Sequence, residues 1–295
     1  MKKNELQSDN ELYGCALRIC AGLLLFMLLD AGLSLLAMRA ASQGTALYAG
    51  QAAAYAAAMC AAVCCARTGR AGQTPALGTG GRFDFFSLFA VFCAVSFGAS
   101  VCGGVVRGLL QAAGLGAAAS PALPVGAGAW VFFLLKSVLL PALLEELLFR
   151  GAILDRLLPF GERFAVLVSA VLFALSHSAA EALPGALLFG IFFALLRLRT
   201  GSLLPGMLFH LLNNAGAVGA LLLTEKAPFL YDGIYTATGI VGALCALGTL
   251  VYYLRAGRAP LPPAREPRAG AFFRTLPTLL WLAVSVLVIA VNAGV

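Results

Sequence analysis

Residues 129–149 read AWVFFLLKSVLLPALLEELLF, and this stretch decides the fold. It is apolar for far longer than a buried strand requires, and a helix of about 20 such residues crosses a hydrocarbon core of about 30 Å. Comparable runs recur along the whole chain of 295 residues, in which hydrophobic residues make up 61% and charged residues 11%. A soluble domain carries roughly a quarter of charged residues and could not bury this much apolar surface. The expected structure is therefore an all-α, polytopic transmembrane helix bundle, integral to a membrane and bathed by its lipids.

Working outward from that stretch, the hydrophobic pattern predicts spans near 13–38, 45–66, 85–106, 129–149, 164–178, 185–198, 203–223, 233–254 and 276–294. The fifth and sixth are short and separated only by SAAEALP, so they also read as a buried helical hairpin, which sets the expected number of spans at about eight to nine. The Gly/Ala/Pro-rich stretch 107–128 and RAGRAPLPPAREPRAG at 255–270 read as linkers. No internal repeat is visible. The chain divides into N-terminal helices over 1–124, a polar-bearing core over 125–220 and C-terminal helices over 221–295, all within one membrane domain, with the last helix a peripheral addition.

The formal charge of +7 does not point to nucleic acid, because the arginines are scattered between apolar runs rather than gathered on one polar face. Topology accounts for them. With a cytoplasmic N-terminus, the cytoplasmic segments hold Lys2, Lys3, Arg18, Arg67, Arg70, Arg82, Arg150, Arg156, Arg163, Arg197, Arg199, Arg255, Arg258, Arg265, Arg268 and Arg274, against Arg39, Arg107 and Lys226 on the other face. The positive-inside rule favours that orientation. The polar start MKKNELQSDNEL runs into an apolar stretch too long for a signal peptide, so none is expected. The eight cysteines fall almost entirely in apolar runs without zinc-ribbon spacing and read as small buried apolar residues. Trp130, Trp281, Tyr13 and Tyr252 read as interface anchors.

A charged side chain near the bilayer centre costs about 2.5–3.5 kcal/mol on insertion scales, so each one in a span needs a partner, water or a function. The candidates are Asp30, Lys136, Glu145, Glu146 and Arg150. Asp30 and Lys136 read as structural, partnered by a hydroxyl, a backbone group or each other. Glu146 reaches Arg150 four residues on, on the same helix face. Glu145 is rotated by about 100° and has no counter-ion on its own helix. A paired carboxylate beside an unpaired one sets the two proton affinities apart, and this suits Glu145 to general-base work. Pro141, one turn earlier, is expected to kink the helix. Farther along, Phe173 precedes His177 by four residues and Asn214 follows His210 by four, so both histidines of the chain lie in apolar segments.

These three elements, Glu145-Glu146 with Arg150, Phe173 with His177, and His210 with Asn214, occur in order on separate hydrophobic segments. In this the chain resembles the CAAX prenyl protease and bacteriocin-processing (CPBP, or Abi) family of intramembrane peptidases, over roughly residues 125–220. The resemblance implies an endopeptidase acting on a membrane-associated or lipidated peptide. It makes Glu145 the residue that activates water, with Glu146 and Arg150 supporting it. His177 and His210 would orient the water, stabilise the oxyanion or bind a metal, and Asn214 would donate to the oxyanion. The residues agree with such roles, since attack on a peptide carbonyl needs a base for the water and donors aimed at the tetrahedral oxygen.

The cofactor is either none or zinc, with Glu145, His177 and His210 as the candidate ligands. The compact H-E-x-x-H helix of zinc peptidases is absent, which favours metal-free chemistry. Two rival classes stand beside the peptidase. An ion-coupled transporter also uses Glu and His chains, though the polar elements here crowd into one region rather than two related halves. A non-catalytic immunity or scaffold protein could keep the same frame. For a bacterial host, the expected location is the plasma membrane.

Overall fold

The computed structural model describes residues 2–41, 43–68, 84–116, 123–256 and 269–294. Arg70, Arg82, Arg258, Arg265 and Arg268 of the sequence reading lie outside them, as do residues 117–122 of the linker and the side chains of Lys2 and Lys3. Among the described residues there is no β-strand.

The helices are α1 (Lys2–Ala40), α2 (Gly44–Arg67), α3 (Phe85–Ala112), α4 (Ala127–Phe160), α5 (Glu162–Leu175), α6 (Leu183–Thr200), α7 (Leu204–Lys226), α8 (Pro228–Ala256) and α9 (Leu276–Ala293). All except α5 lie within segments long and apolar enough to cross a bilayer, which makes eight candidate spans among the described residues. At 14 residues α5 extends about 21 Å, shorter than a full span, yet it carries the chain from the end of α4 to the opposite side, where Ser178 lies. It packs along α6, which is itself long and apolar enough to cross, so the two do not form a hairpin of partial crossings. The protein is an integral membrane protein built as an all-α bundle.

The fourth span is longer than the sequence reading placed it, because the helix does not stop at Phe149 but continues through Arg150 to Phe160. Its backbone widens twice into π-helical turns, at Leu135–Leu139 and at Glu146–Leu154. The first widening ends two residues before Pro141, whose ring has no N–H and crowds the carbonyl four residues earlier, so the turn ahead of it opens. The kink expected there takes this form. Gly161 follows α4 with φ +121, a conformation that side chains other than glycine rarely adopt, and turns the chain into α5.

Contacts between helix ends establish which loops share a side. Arg156 donates to the Thr68 carbonyl at 2.7 Å, Arg197 pairs with Asp155 at 3.3 Å, and Arg199 donates to the Tyr253 hydroxyl at 3.2 Å. The ends of α2, α4, α6 and α8 therefore lie together, as the alternation of spans requires. At the opposite end Gly116 N donates to Ala293 O, and Asn292 donates to Ser178 O.

The protein core lies where α4, α5 and α6 pack together, with Leu148, Phe149, Ile153, Phe173 and Phe193 buried. Large apolar residues on the outer surface, such as Leu254 at 72% exposure, face what a bilayer supplies rather than water. Three expectations are corrected here. The last helix is not peripheral, because α9 packs against α1 and Trp281 is fully buried in protein instead of anchoring an interface. All eight cysteines are free, but only Cys20 is buried, while Cys60, Cys64 and Cys102 sit on the outer surface, where lipid provides the apolar surroundings. The stretch taken as a linker from residue 107 remains helical to Ala112.

Candidate active site

The two glutamates occupy consecutive positions at the junction where α4 passes into its second π-helical segment. Glu146 turns into the protein and is 1% exposed, and Arg150 is completely buried. Arg150 Nη1 donates to Glu146 Oε1 at 2.9 Å, and Nη2 donates to Gly190 O at 3.2 Å. The guanidinium carbon stands 4.5 Å from the centre of the Phe173 ring and 5.2 Å from that of Phe193, so the cation is enclosed by ring faces, a carboxylate and a carbonyl. The Gly190 carbonyl reaches Arg150 because α6 passes very close to α5 here. A Cβ on Gly190 would come within 2.9 Å of Ala170 Cα.

His210, buried in the first third of α7, bridges the two glutamates. Its Nδ1 lies 3.1 Å from Glu146 Oε1 and its Nε2 lies 3.7 Å from Glu145 Oε2. The Glu146 oxygen already accepts from Arg150, so the proton of this contact belongs on Nδ1. The imidazole stacks on Phe193 at 5.1 Å and meets Phe173 edge-on at 5.9 Å. Gly206, one turn before His210, makes room for the carboxylate, since a Cβ there would stand 2.9 Å from Glu146 Oε2.

Arg150 pairs with Glu146 rather than with Glu145, as expected, but Glu145 is not without a partner. The Tyr55 hydroxyl of α2 donates to Glu145 Oε1 at 2.6 Å. Sequence reasoning missed this residue, although a signal was present: Tyr55 stands alone in the alanine-rich run GQAAAYAAAMCAA, too deep for an interface anchor, and a buried phenol needs a hydrogen-bond partner. Lys136 lies within electrostatic reach of Asp30, but among the described residues the two form no ion pair, and Asp30 Oδ1 is buried without a hydrogen-bond partner.

His177 lies just beyond the end of α5 rather than within a helix, on the irregular segment leading to α6. Its Nδ1 is 3.0 Å from Phe173 O, a carbonyl near the helix end, and its ring meets Phe173 at 5.0 Å. A carbonyl only accepts, so Nδ1 carries the proton and Nε2 keeps its lone pair. Phe173 thus contacts both imidazoles and the Arg150 guanidinium. Asn214 occupies the expected face one turn after His210. Its Oδ1 accepts from Asn213 at 3.3 Å, and it lines a cleft of about 430 Å³ with Arg107, Phe133, Ser137, Thr224 and Tyr231. Among the described residues, no hydrogen bond joins His177 or Asn214 to either glutamate.

The candidate zinc ligands do not close into a metal site. His210 directs both ring nitrogens at carboxylates, and His177 Nδ1 is taken by a backbone carbonyl. Among the described residues no three His, Cys, Asp or Glu side chains are grouped to hold an ion. The Nδ1 contacts leave Nε2 of each histidine as the donor nitrogen, an arrangement that serves a metal-bound imidazole and a metal-free one alike.

Residues 127–216 match the model of the family described as Type II CAAX prenyl endopeptidase Rce1-like. This segment runs from the start of α4 to Gly216 of α7 and contains every motif residue named above. No curated protein and no solved structure matches the chain.

Proposed function

We propose that the protein, whose residues 127–216 match the Rce1-like family model, is an intramembrane endopeptidase that hydrolyses a peptide bond in a membrane-associated or lipidated substrate through a glutamate-activated water, without a metal. The observation that carries this reading is the placement of His210 between the two glutamates, with Nδ1 against the Arg150-bound Glu146 and Nε2 facing Glu145 Oε2.

In this reading Glu145 Oε2 takes a proton from the water as its oxygen attacks the scissile carbonyl carbon, and the same carboxyl later returns that proton to the departing amine. Glu146 and Arg150 hold the His210 ring so that Nε2 faces the reacting water. His177, with its proton on Nδ1, presents Nε2 as an acceptor that orients a water hydrogen. Asn214, its amide oxygen engaged by Asn213, leaves its N–H₂ group free to donate to the tetrahedral oxyanion. The aromatic enclosure by Phe173 and Phe193 lowers the local dielectric and strengthens each of these interactions. The arginine distribution supports a cytoplasmic N-terminus, and with it a cytoplasmic side for the shared ends of α2, α4, α6 and α8.

The test is purified protein in liposomes supplied with a peptide ending in a prenylated cysteine and three further residues, beside the same peptide without the lipid. Cleavage is expected, with Glu145→Gln and His210→Ala each abolishing it while remaining folded. Full activity in both variants overturns the proposal.

A further inference from the structure

The contact between Tyr55 and Glu145 gives α2, which lies outside the matched segment 127–216, a part in the chemistry. The terminal torsion of a glutamate is broad and roughly two-fold, so an unrestrained carboxylate presents either oxygen to a reaction partner. Glu145 is restrained. Its Oε1 accepts from the Tyr55 hydroxyl at 2.6 Å, within the range of a hydroxyl bound to a carboxylate, and this leaves Oε2 facing His210 Nε2 at 3.7 Å.

Tyr55 is itself held. It is 8% exposed, and Phe26 of α1 meets its ring edge-on at 5.9 Å with the planes 88° apart. The hydroxyl is thus fixed by packing of α1 on α2, and α2 in turn packs against α4. A tyrosine that served only to fill space between helices would not need its hydroxyl. Here the hydroxyl is spent on Glu145, the glutamate of the pair that Arg150 does not bind.

We propose that Tyr55 is a positioning residue for Glu145, fixing which carboxylate oxygen meets the water and its histidine. The inference rests on the peptidase reading of Glu145. It gives the helices before residue 125 a defined part in the site, and it assigns that part to a group that touches no substrate atom.

The experiment uses the full-length protein in liposomes. Tyr55→Phe keeps the ring and its contact with Phe26 and removes only the donor. Its kcat is expected to fall about 10- to 100-fold with KM unchanged, the size of one lost charge-assisted hydrogen bond. Phe26→Leu, which loosens the packing and spares the donor, is expected to lose clearly less kcat than Tyr55→Phe. In the Glu145→Gln background, adding Tyr55→Phe is expected to cause no further loss of residual activity.

A second measurement does not depend on catalysis. With 3,5-difluorotyrosine at position 55, the fluorine resonance is expected to move when Glu145→Gln is introduced, and to move much less on Asp30→Asn, which alters only a more distant charge. Wild-type kcat in Tyr55→Phe, an equal loss in Phe26→Leu, or a resonance indifferent to Glu145→Gln each overturns the positioning role. Full activity of Glu145→Gln overturns instead the peptidase reading beneath it, so the two failures are separable.

Discussion

His210 Nδ1 stands 3.1 Å from Glu146 Oε1, the oxygen that also receives the Arg150 guanidinium at 2.9 Å. One carboxylate oxygen therefore ties α7 to α4, and the charge that stabilises it is buried in the same place. Glu146 orients the histidine, and Arg150 keeps Glu146 where it is.

Removing Arg150 leaves Glu146 buried without its cation. Arg150→Met is expected to lose about 3–5 kcal/mol of stability, the usual consequence of orphaning one member of a buried pair. The double variant Glu146→Gln with Arg150→Met is expected to recover a substantial part of that loss. Denaturation in detergent micelles measures both, and a double variant no more stable than the single one would refute the coupling.

Two glycines of α7 are predicted to differ in sign. Gly206→Ala places a methyl 2.9 Å from Glu146 Oε2 and is expected to cost about 1–3 kcal/mol, with at least a tenfold fall in kcat. Gly216→Ala meets no atom within 4 Å and is expected to be neutral or to stabilise the helix by about 0.5–1 kcal/mol. Paired melting curves and activity assays check the contrast.

Phe173 touches His177, His210 and Arg150 at once. Phe173→Leu keeps most of the apolar volume and removes the π face beneath the guanidinium. The expected result is a stability loss of about 2 kcal/mol together with a drop in kcat, because a desolvated cation–π contact has that size. Unchanged kcat would show that the ring does not align the histidines.

In the metal-free reading, which the absence of an H-E-x-x-H helix favours, prolonged treatment with 1,10-phenanthroline is expected to leave peptidase activity unchanged. Isothermal titration with zinc is expected to show no site that disappears in His210→Ala. Loss of activity on chelation, restored by zinc, would reverse the metal-free reading.

Within α4 the sequence was a good guide. The Glu146 and Arg150 pairing follows from helical periodicity, and the kink follows from the missing N–H of Pro141, because both are local consequences of the backbone. Single-helix reasoning failed at Glu145, whose partner Tyr55 is 90 residues away. It also failed at His177, read as intrahelical but placed beyond the end of α5, since no Gly or Pro marks that end and the Ser-His-Ser run is compatible with a continuing helix. Gly190 and Gly206 were equally hidden, because a glycine needed for close approach looks like any other until the neighbouring helix is in place.

By itself the sequence determined that this chain is a bundle of membrane-crossing helices and which few polar residues had to find partners within it. Hydrophobic length and the cost of charge in lipid are properties of the chain alone, and they leave little choice. Which partners those residues found was decided by tertiary packing. The side chains of α2, α4, α5 and α7 meet only when the helices close on one another. Only then does Glu146 acquire His210, Glu145 acquire Tyr55, and the zinc candidates direct their nitrogens at carboxylates and a carbonyl instead of at one another.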